Sequence, residues 1–380
     1  MQVPMLDLSR QYAGIRAEVL AAVGRVCDSQ RYILGDESSN FEREFAALCG
    51  TKDSVGCASG TDALWLALAA ANIGPGDDVI TTPFSFFATA SSILRAGARP
   101  VFVDIDPETL NLDPLCVTAT LRVKCSRRKT LLPVHLYGQC ADMDELNRIA
   151  AEHNLTVIED AAQAVGATWN GRLAGSLSLA AAFSFYPTKN LSAFGDAGAV
   201  TTSDPQMAER MRRLRNHGCQ QRYYHDEIGA NSRLDSIQAA VLRVKMPHLP
   251  AWNAGRRQRA ATYDRLLLAS GLTRSGSASL GPITPLATRP LAHHIYHQYV
   301  VLTRKRDELR QFLSERGIGT EIYYPVPLHL QKCFAYLGYS PGDLPVAEQA
   351  ASQVLALPMF AELQEEEQGY VVEGIAEFYS

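Results

Sequence analysis

Between Asp53 and about Thr201 short β-branched runs alternate with apolar stretches at helical spacing, and this rhythm constrains the fold more than any other feature. Parallel strands cannot be joined by a hairpin, so a strand, helix, strand rhythm implies a mostly parallel sheet covered by helices. Thr61 to Ala71 is apolar at helical spacing and closes at Gly74-Pro75-Gly76, after which Val79 to Thr82 reads as a strand. Pro100 to Asp104, Thr130 to Pro133, Thr156 to Glu159 and Ala181 to Phe185 read as further strands. With 47% hydrophobic residues in 380, the chain can fill a large core, and its length suits two domains.

The composition shifts after Leu249-Pro250. A long polar helix from Trp252 to Ala269 leads into Gly-, Ser- and Pro-rich sequence around Gly271 to Pro290. Beyond it His297 to Thr303 reads as a strand, Arg306 to Arg316 as a helix and Gly319 to Tyr324 as a strand. The expectation is a large α/β domain over 1–249 and a smaller α+β domain over 250–380, with the first residues free to pack on the smaller one.

A net charge of -4 gives no global attraction to nucleic acid or an anionic membrane. Neither a leader-like run after Met1 nor a membrane-length apolar segment is visible, so the expected compartment is the cytoplasm. The eight cysteines are scattered without zinc-like spacing and read as reduced, small core residues. His293, His294 and His297 suggest a metal only superficially, because a strand would send neighbours to opposite faces; no metal is expected. Arg210, Arg212, Arg213, Arg215 and Arg222 read as a solvated face, with one arginine able to meet a substrate diphosphate, and Arg127-Arg128-Lys129 as a surface loop.

Ligands of open parallel sheets collect at the carboxyl ends of the strands. Three groups of polar residues fall there. Ser59-Gly60-Thr61-Asp62 opens a helix whose amides can hold a phosphate, although an ordinary helix cap looks the same. Glu159-Asp160 ends an apolar strand and can hold a cationic group, or merely cap the next turn of chain. Lys189 comes after the strand that ends near Phe185; most lysines are solvated surface charges. In this order a phosphate site, a carboxylate and a lysine are the parts that hold pyridoxal phosphate: the lysine bonds the cofactor, and the acid keeps its ring nitrogen protonated.

Eight segments carry a closer resemblance. They are Tyr32-Ile-Leu-Gly35, Ala58-Ser-Gly-Thr-Asp-Ala-Leu64, Pro83-Phe-Ser-Phe-Phe-Ala-Thr89, Leu136-Tyr-Gly-Gln139, Glu159-Asp-Ala-Ala-Gln163, Ser184-Phe-Tyr-Pro-Thr-Lys-Asn-Leu191, Asn231-Ser-Arg-Leu-Asp235 and Tyr324-Pro-Val-Pro-Leu-His-Leu-Gln331. Together they resemble the DegT/StrS nucleotide-sugar aminotransferases, a branch of the fold-type I pyridoxal-phosphate enzymes, over nearly the whole chain. The resemblance implies that Lys189 bonds the cofactor and shuttles a proton, while Asp160 pairs with the pyridine nitrogen. It implies Gln163 near the ring hydroxyl, Phe86 stacked on the ring, and Gly60, Thr61 and Ser184 at the phosphate. Asn231 resembles the residue that reaches the neighbouring subunit's cofactor phosphate, which implies a homodimer with shared active sites.

Two positions depart from the family pattern. Ala197 replaces a glycine common among relatives, and Tyr323 stands where histidine often precedes Tyr-Pro. This segment resembles the one that borders the sugar pocket in the family, which makes Tyr323 and Tyr324 the expected sugar contacts. The implied reaction moves an amino group from glutamate to a keto group of a nucleotide-linked sugar, at C3, with UDP-3-keto-N-acetylglucosaminuronic acid the leading candidate and a dTDP-3-keto-6-deoxysugar the alternative. Related dehydratases replace the lysine with histidine, and Lys189 argues against that chemistry. A non-catalytic cofactor-binding regulator is the rival from another class; a nicotinamide dehydrogenase is weaker, since no G-x-G-x-x-G follows the first strand.

Overall fold

The computed structural model describes residues 1–123, 129–273 and 281–380. Its centre is a seven-stranded sheet in the order Asp53–Cys57, Gly198–Thr202, Ala180–Ser184, Thr156–Asp160, Lys129–Leu132, Asp78–Thr81, Arg99–Phe102. Gly198–Thr202 is antiparallel to both its neighbours, and every other pairing is parallel. The mostly parallel sheet read from the sequence is thus present, with one strand reversed. Burial on both faces explains its near-continuous apolar strands. Ala181 and Phe183 join one core with Phe41, Phe45 and Leu146, while Ala180 and Ala182 join the other with Leu66, Leu68 and Ile93.

Helix Gly60–Ala70 follows the first strand. The Ser59 side chain accepts from the Asp62 amide at 3.1 Å, an N-cap that starts the helix at the strand's carboxyl end. Two further helices, Leu8–Ser29 and Asp36–Cys49, precede the sheet in sequence, and Ile15, Val19 and Val241 pack together where the first of them meets helix Ser236–Lys245.

A three-stranded antiparallel sheet, Thr284–Pro285, Tyr299–Leu302 and Val354–Leu357, anchors a third core with helices Arg306–Glu315 and Glu365–Tyr379. Val3 belongs to this core and bridges to Ile318. The helix expected from Trp252 begins earlier, at Leu249 with Pro250 in its first turn, and is not simply polar: Asn253, Arg256, Tyr263 and Leu267 are buried. Gly319 to Tyr324 is not a strand. It makes a single bridge, Glu321 to Ala356, and the prolines at 325 and 327 fix the next stretch of chain into another path.

Seven cysteines are described, all unpaired; only Cys49, Cys57 and Cys140 are buried, so the expectation of core residues fails for the others, while Cys125 lies outside the described residues. Arg127 and Arg128 lie outside them too. Among the described residues no helix is long and apolar enough to cross a membrane.

Candidate active site

The residues singled out at strand ends converge on the carboxyl edge of the sheet. Thr156–Asp160 ends in two acids that alternation sends to opposite faces. Glu159 turns inward, fully buried, and accepts from the Gly175 and Leu177 amides at 2.8 and 3.0 Å, the Ser178 hydroxyl at 2.9 Å and His135 Nε2 at 3.0 Å. His135 Nδ1 accepts from the Ala141 amide at 3.2 Å, which places the imidazole proton on Nε2. Glu159 is thereby a structural pin, satisfied on both oxygens.

Asp160 turns the other way. Its Oδ2 accepts from the Thr89 hydroxyl at 2.7 Å and its Oδ1 from the Ala162 amide at 3.2 Å. Thr89 spends its proton on Asp160, so the Ser85 hydroxyl, 2.9 Å away, donates to Thr89 in turn. Burial pushes the Asp160 carboxyl up, while the Thr89 bond, the Ala162 amide and the Lys189 charge hold it down.

Lys189 lies on the loop after strand Ala180–Ser184, and its amide donates to the Tyr186 carbonyl at 2.8 Å. Desolvation pulls its ammonium down to about 8, against the opposing pull of Asp160. At neutral pH a fraction of this lysine is therefore an uncharged amine, the form that attacks a carbonyl.

Gln163 lies three residues past Asp160 and ties the site to the C-terminal half. Its Oε1 accepts from the Tyr137 amide at 2.6 Å, and its Nε2 donates to the Tyr324 hydroxyl at 3.1 Å. Tyr137 has φ 55°, in the left-handed region, and its hydroxyl donates to the Tyr323 carbonyl. Tyr324 thus joins the Gln163 network, and Tyr323 packs beside it with ring centroids 5.9 Å apart. Phe86 is 59% exposed, its ring 6.3 Å from that of Tyr324.

Gly60 closely meets strand Ala180–Ser184, from which the Lys189 loop departs. A Cβ built on it would lie 2.6 Å from the Ser184 Cβ, and one on Gly198, which pairs with Ser184, would lie 2.4 Å from the Ser59 carbonyl oxygen. The first intrahelical bond runs from the Ala63 amide to the Ser59 carbonyl, which leaves the amides of Gly60 and Thr61 at the open end. These amides beside the Ser184 hydroxyl form a cradle suited to a phosphate. With a desolvated lysine, a buried carboxylate and an exposed aromatic ring, the residues present fit pyridoxal phosphate.

Asn231 stands apart. It is exposed, on the segment after the hairpin Cys219–Gln221/Tyr224–His225, and bridges to Asn216 rather than to this cluster. Of the five arginines, Arg210 and Arg213 face Glu227, Arg212 faces Asp53 and Arg215 binds Glu42, so four are ion-paired instead of merely solvated. Arg222 lies over the Tyr223 ring at 4.9 Å.

Thr89 and Ser85 fall inside the segment Pro83 to Thr89 but receive no role from the sequence, and because Ser85 precedes helix Ala88–Arg95 no helical spacing links the two. The sequence assigns His297 no role once a metal is set aside, and its partner is Asn190 at 3.1 Å.

The model of the DegT/DnrJ/EryC1/StrS aminotransferase family matches residues 14–376. The chain belongs to this family. It is 53% identical to the pleiotropic regulatory protein of Geobacillus stearothermophilus over 381 aligned residues, 100% of this chain and 99% of the relative. It is 47% identical to the dTDP-3-amino-3,4,6-trideoxy-alpha-D-glucose transaminase of Streptomyces venezuelae, over 99% of this chain and 96% of that one. It is 45% identical to the UDP-N-acetyl-3-dehydro-alpha-D-glucosamine 3-aminotransferase of Acidithiobacillus ferrooxidans, over 96% and 95%. Among solved structures, S. venezuelae DesV in complex with a ketimine intermediate superposes with a TM-score of 0.93 at 46% identity, covering 99% of this chain and 98% of that one. The fold-type I architecture expected from the sequence is therefore the fold of this family member.

Proposed function

We propose that this protein is a pyridoxal-phosphate-dependent aminotransferase that moves an amino group from L-glutamate to the C3 keto group of a nucleotide-linked sugar. The observation that carries the reading is the desolvated Lys189 ammonium facing the buried Asp160 carboxylate at the sheet edge. When bound, the cofactor supplies a conjugated electron sink for the electron pair left as a C–H bond of the donor breaks.

Lys189 would bond the cofactor, and its Nζ would hold and move the proton exchanged in each half-reaction. Asp160 would pair with the pyridine nitrogen, and the Thr89 hydroxyl, itself held by Ser85, opposes the burial that raises this carboxyl. The Gly60 and Thr61 amides and the Ser184 hydroxyl would bind the phosphate. Phe86 would cover one ring face, Gln163 would border the ring hydroxyl, and Tyr323 and Tyr324 would border the sugar.

The working unit is a homodimer in which Asn231 completes the neighbouring chain's phosphate site, supported by the exposure of Asn231, Ile33 and Leu34 in the single chain. The division at 249/250 is part of the same reading, with the third core forming the smaller domain. The protein works in the cytoplasm and supplies amino sugars for cell-surface polysaccharide or secondary metabolites. Relatives of near-equal identity are named for UDP- and dTDP-linked sugars, and both names place the amino group at C3, which supports C3 as the position here. UDP-3-keto-N-acetylglucosaminuronic acid is the first substrate to offer, then a dTDP-3-keto-6-deoxysugar.

The test is the visible spectrum of protein loaded with pyridoxal phosphate, before and after glutamate, for wild type and Lys189→Ala. Glutamate should bleach the lysine-bound cofactor band in wild type alone, and a 3-keto nucleotide sugar should restore it. The regulatory name of the 53% identical relative favours a second reading, a cofactor-binding regulator. A band that no amino donor alters would favour that reading over amino transfer.

A further inference from the structure

Lys189 is followed by Asn190, whose side chain is buried in a chain of hydrogen bonds with only one possible polarity. The Val165 carbonyl can only accept, so the Asn253 Nδ2 donates to it at 3.0 Å. Asn253 Oδ1 therefore accepts from Asn190 Nδ2 at 2.8 Å, and Asn190 Oδ1 is left to accept from His297 Nδ1 at 3.1 Å. His297 must carry its proton on Nδ1.

The far end of this chain is itself fixed. Arg256, one turn beyond Asn253 on the same helix, donates to the carbonyls of His297 and Met359 at 3.0 and 3.1 Å, and to that of Tyr296 at 3.3 Å. All four linked side chains are at least nine-tenths buried: Asn190 at 5%, Asn253 at 6%, Arg256 at 5% and His297 at 7% exposure. Burial in the company of Lys189, Arg256 and His294 keeps His297 neutral. The lysine loop is thus tied to the C-terminal half one residue from the reactive amine.

We propose that His297 is a positioning residue for Lys189, acting through the Nδ1 donor it presents to Asn190. This rests on the reading of Lys189 as the reactive lysine, but concerns only where its amine is held. With the tie intact, the amine stays desolvated. Without the donor at that place, Asn190 Oδ1 is left buried and unpaired, the loop shifts to find water, and the amine moves with it.

The discriminating variants differ in where they put a donor. In asparagine the amide nitrogen overlays the imidazole Nδ1; in glutamine, closer to histidine in volume, it overlays Nε2. His297→Asn should therefore behave as wild type and His297→Gln should not, whereas a role in filling space would order them the other way. The readout is the pKa of Lys189 in the full-length chain freed of cofactor, from the pH dependence of its acetylation by trace anhydride, followed by mass spectrometry.

The wild type and His297→Asn should titrate together. His297→Gln should titrate about one unit or more higher, because an amine released to water regains its ordinary value. In the loaded enzyme the glutamate half-reaction of His297→Gln should slow about tenfold with little change in KM. Equal pKa values in wild type and His297→Gln, or a shift in His297→Asn as large as that in His297→Gln, would overturn the proposal. Because the labelling needs no turnover, it can succeed while amino transfer fails, and the two readings are separable.

Discussion

Gln163 Nε2 donates to the Tyr324 hydroxyl across 3.1 Å, a bond between residues 161 positions apart that joins the acid-bearing strand end to the C-terminal half. The same amide accepts from the Tyr137 N–H at 2.6 Å, so one side chain satisfies two buried donors or acceptors at once. Gln163→Ala strands both partners and should cost about 2–4 kcal/mol, whereas Tyr324→Phe removes one hydroxyl and should cost about 1 kcal/mol. Denaturant unfolding of the cofactor-free singles and the double should show coupling of about 1 kcal/mol; strict additivity would mean the bond contributes nothing.

The Gly60 cradle makes a second prediction. Gly60→Ala puts a methyl 2.6 Å from the Ser184 Cβ, so the helix start must move. Cofactor affinity, read by spectral titration, should fall about tenfold or more, because the phosphate amides move with it. Adding Ser184→Gly relieves the clash and should recover the melting temperature without recovering affinity, since the hydroxyl is then gone. Recovery of both would remove Ser184 from the phosphate site.

Lys189 makes folding depend on pH. Its value falls from 10.5 to about 8 on folding. Between the two the unfolded chain holds a proton that the folded chain has released, so stability rises with pH across that window and the burial penalty is felt in full below it. Lys189→Met removes the penalty, although Asp160 loses its nearby cation and part of the gain with it. The cofactor-free variant should be more stable than wild type at pH 7 by about 1–3 kcal/mol, with the gap closing towards pH 10.5. A gap that widens with pH would contradict the desolvation of this amine.

Thr89 holds the Asp160 carboxyl down against burial. Thr89→Val keeps the shape and deletes the donor, so the carboxyl should titrate higher. The acid limb of the glutamate half-reaction should then move up by about one pH unit. An unmoved limb with a lower plateau would show that Thr89 shapes the site without tuning Asp160.

The parts of the site legible in the sequence are those whose chemistry is written in adjacent residues at a strand end or helix start: Ser59 to Asp62, Asp160 with Gln163, and Ser184 to Lys189. Their partners are not visible there. Thr89 to Asp160, Gln163 to Tyr324 and Asn190 to His297 are brought together by packing across the sheet edge, and no local periodicity records such a meeting. Gly319 to Tyr324 misleads because aromatic and β-branched residues favour a strand only where an edge is free to receive them. Strand Val354–Leu357 offers it one bridge, and the prolines then turn the chain away. The reversal of Gly198–Thr202 is equally hidden, since its composition does not distinguish a parallel neighbour from an antiparallel one.

That reversal has a consequence for how such a protein can change. Because Ser184 pairs with Gly198, and the Phe185 amide with the Ala197 carbonyl at 2.8 Å, both ends of the lysine-bearing loop are held in one ladder. Tyr186 and Phe194, on the same loop, face outward and are 53% and 47% exposed. A lineage can therefore redraw the outer surface of the loop, and with it the molecules it meets, while Lys189 stays moored to the same stem. Novelty in recognition and constancy in chemistry are inherited from a single pair of strands.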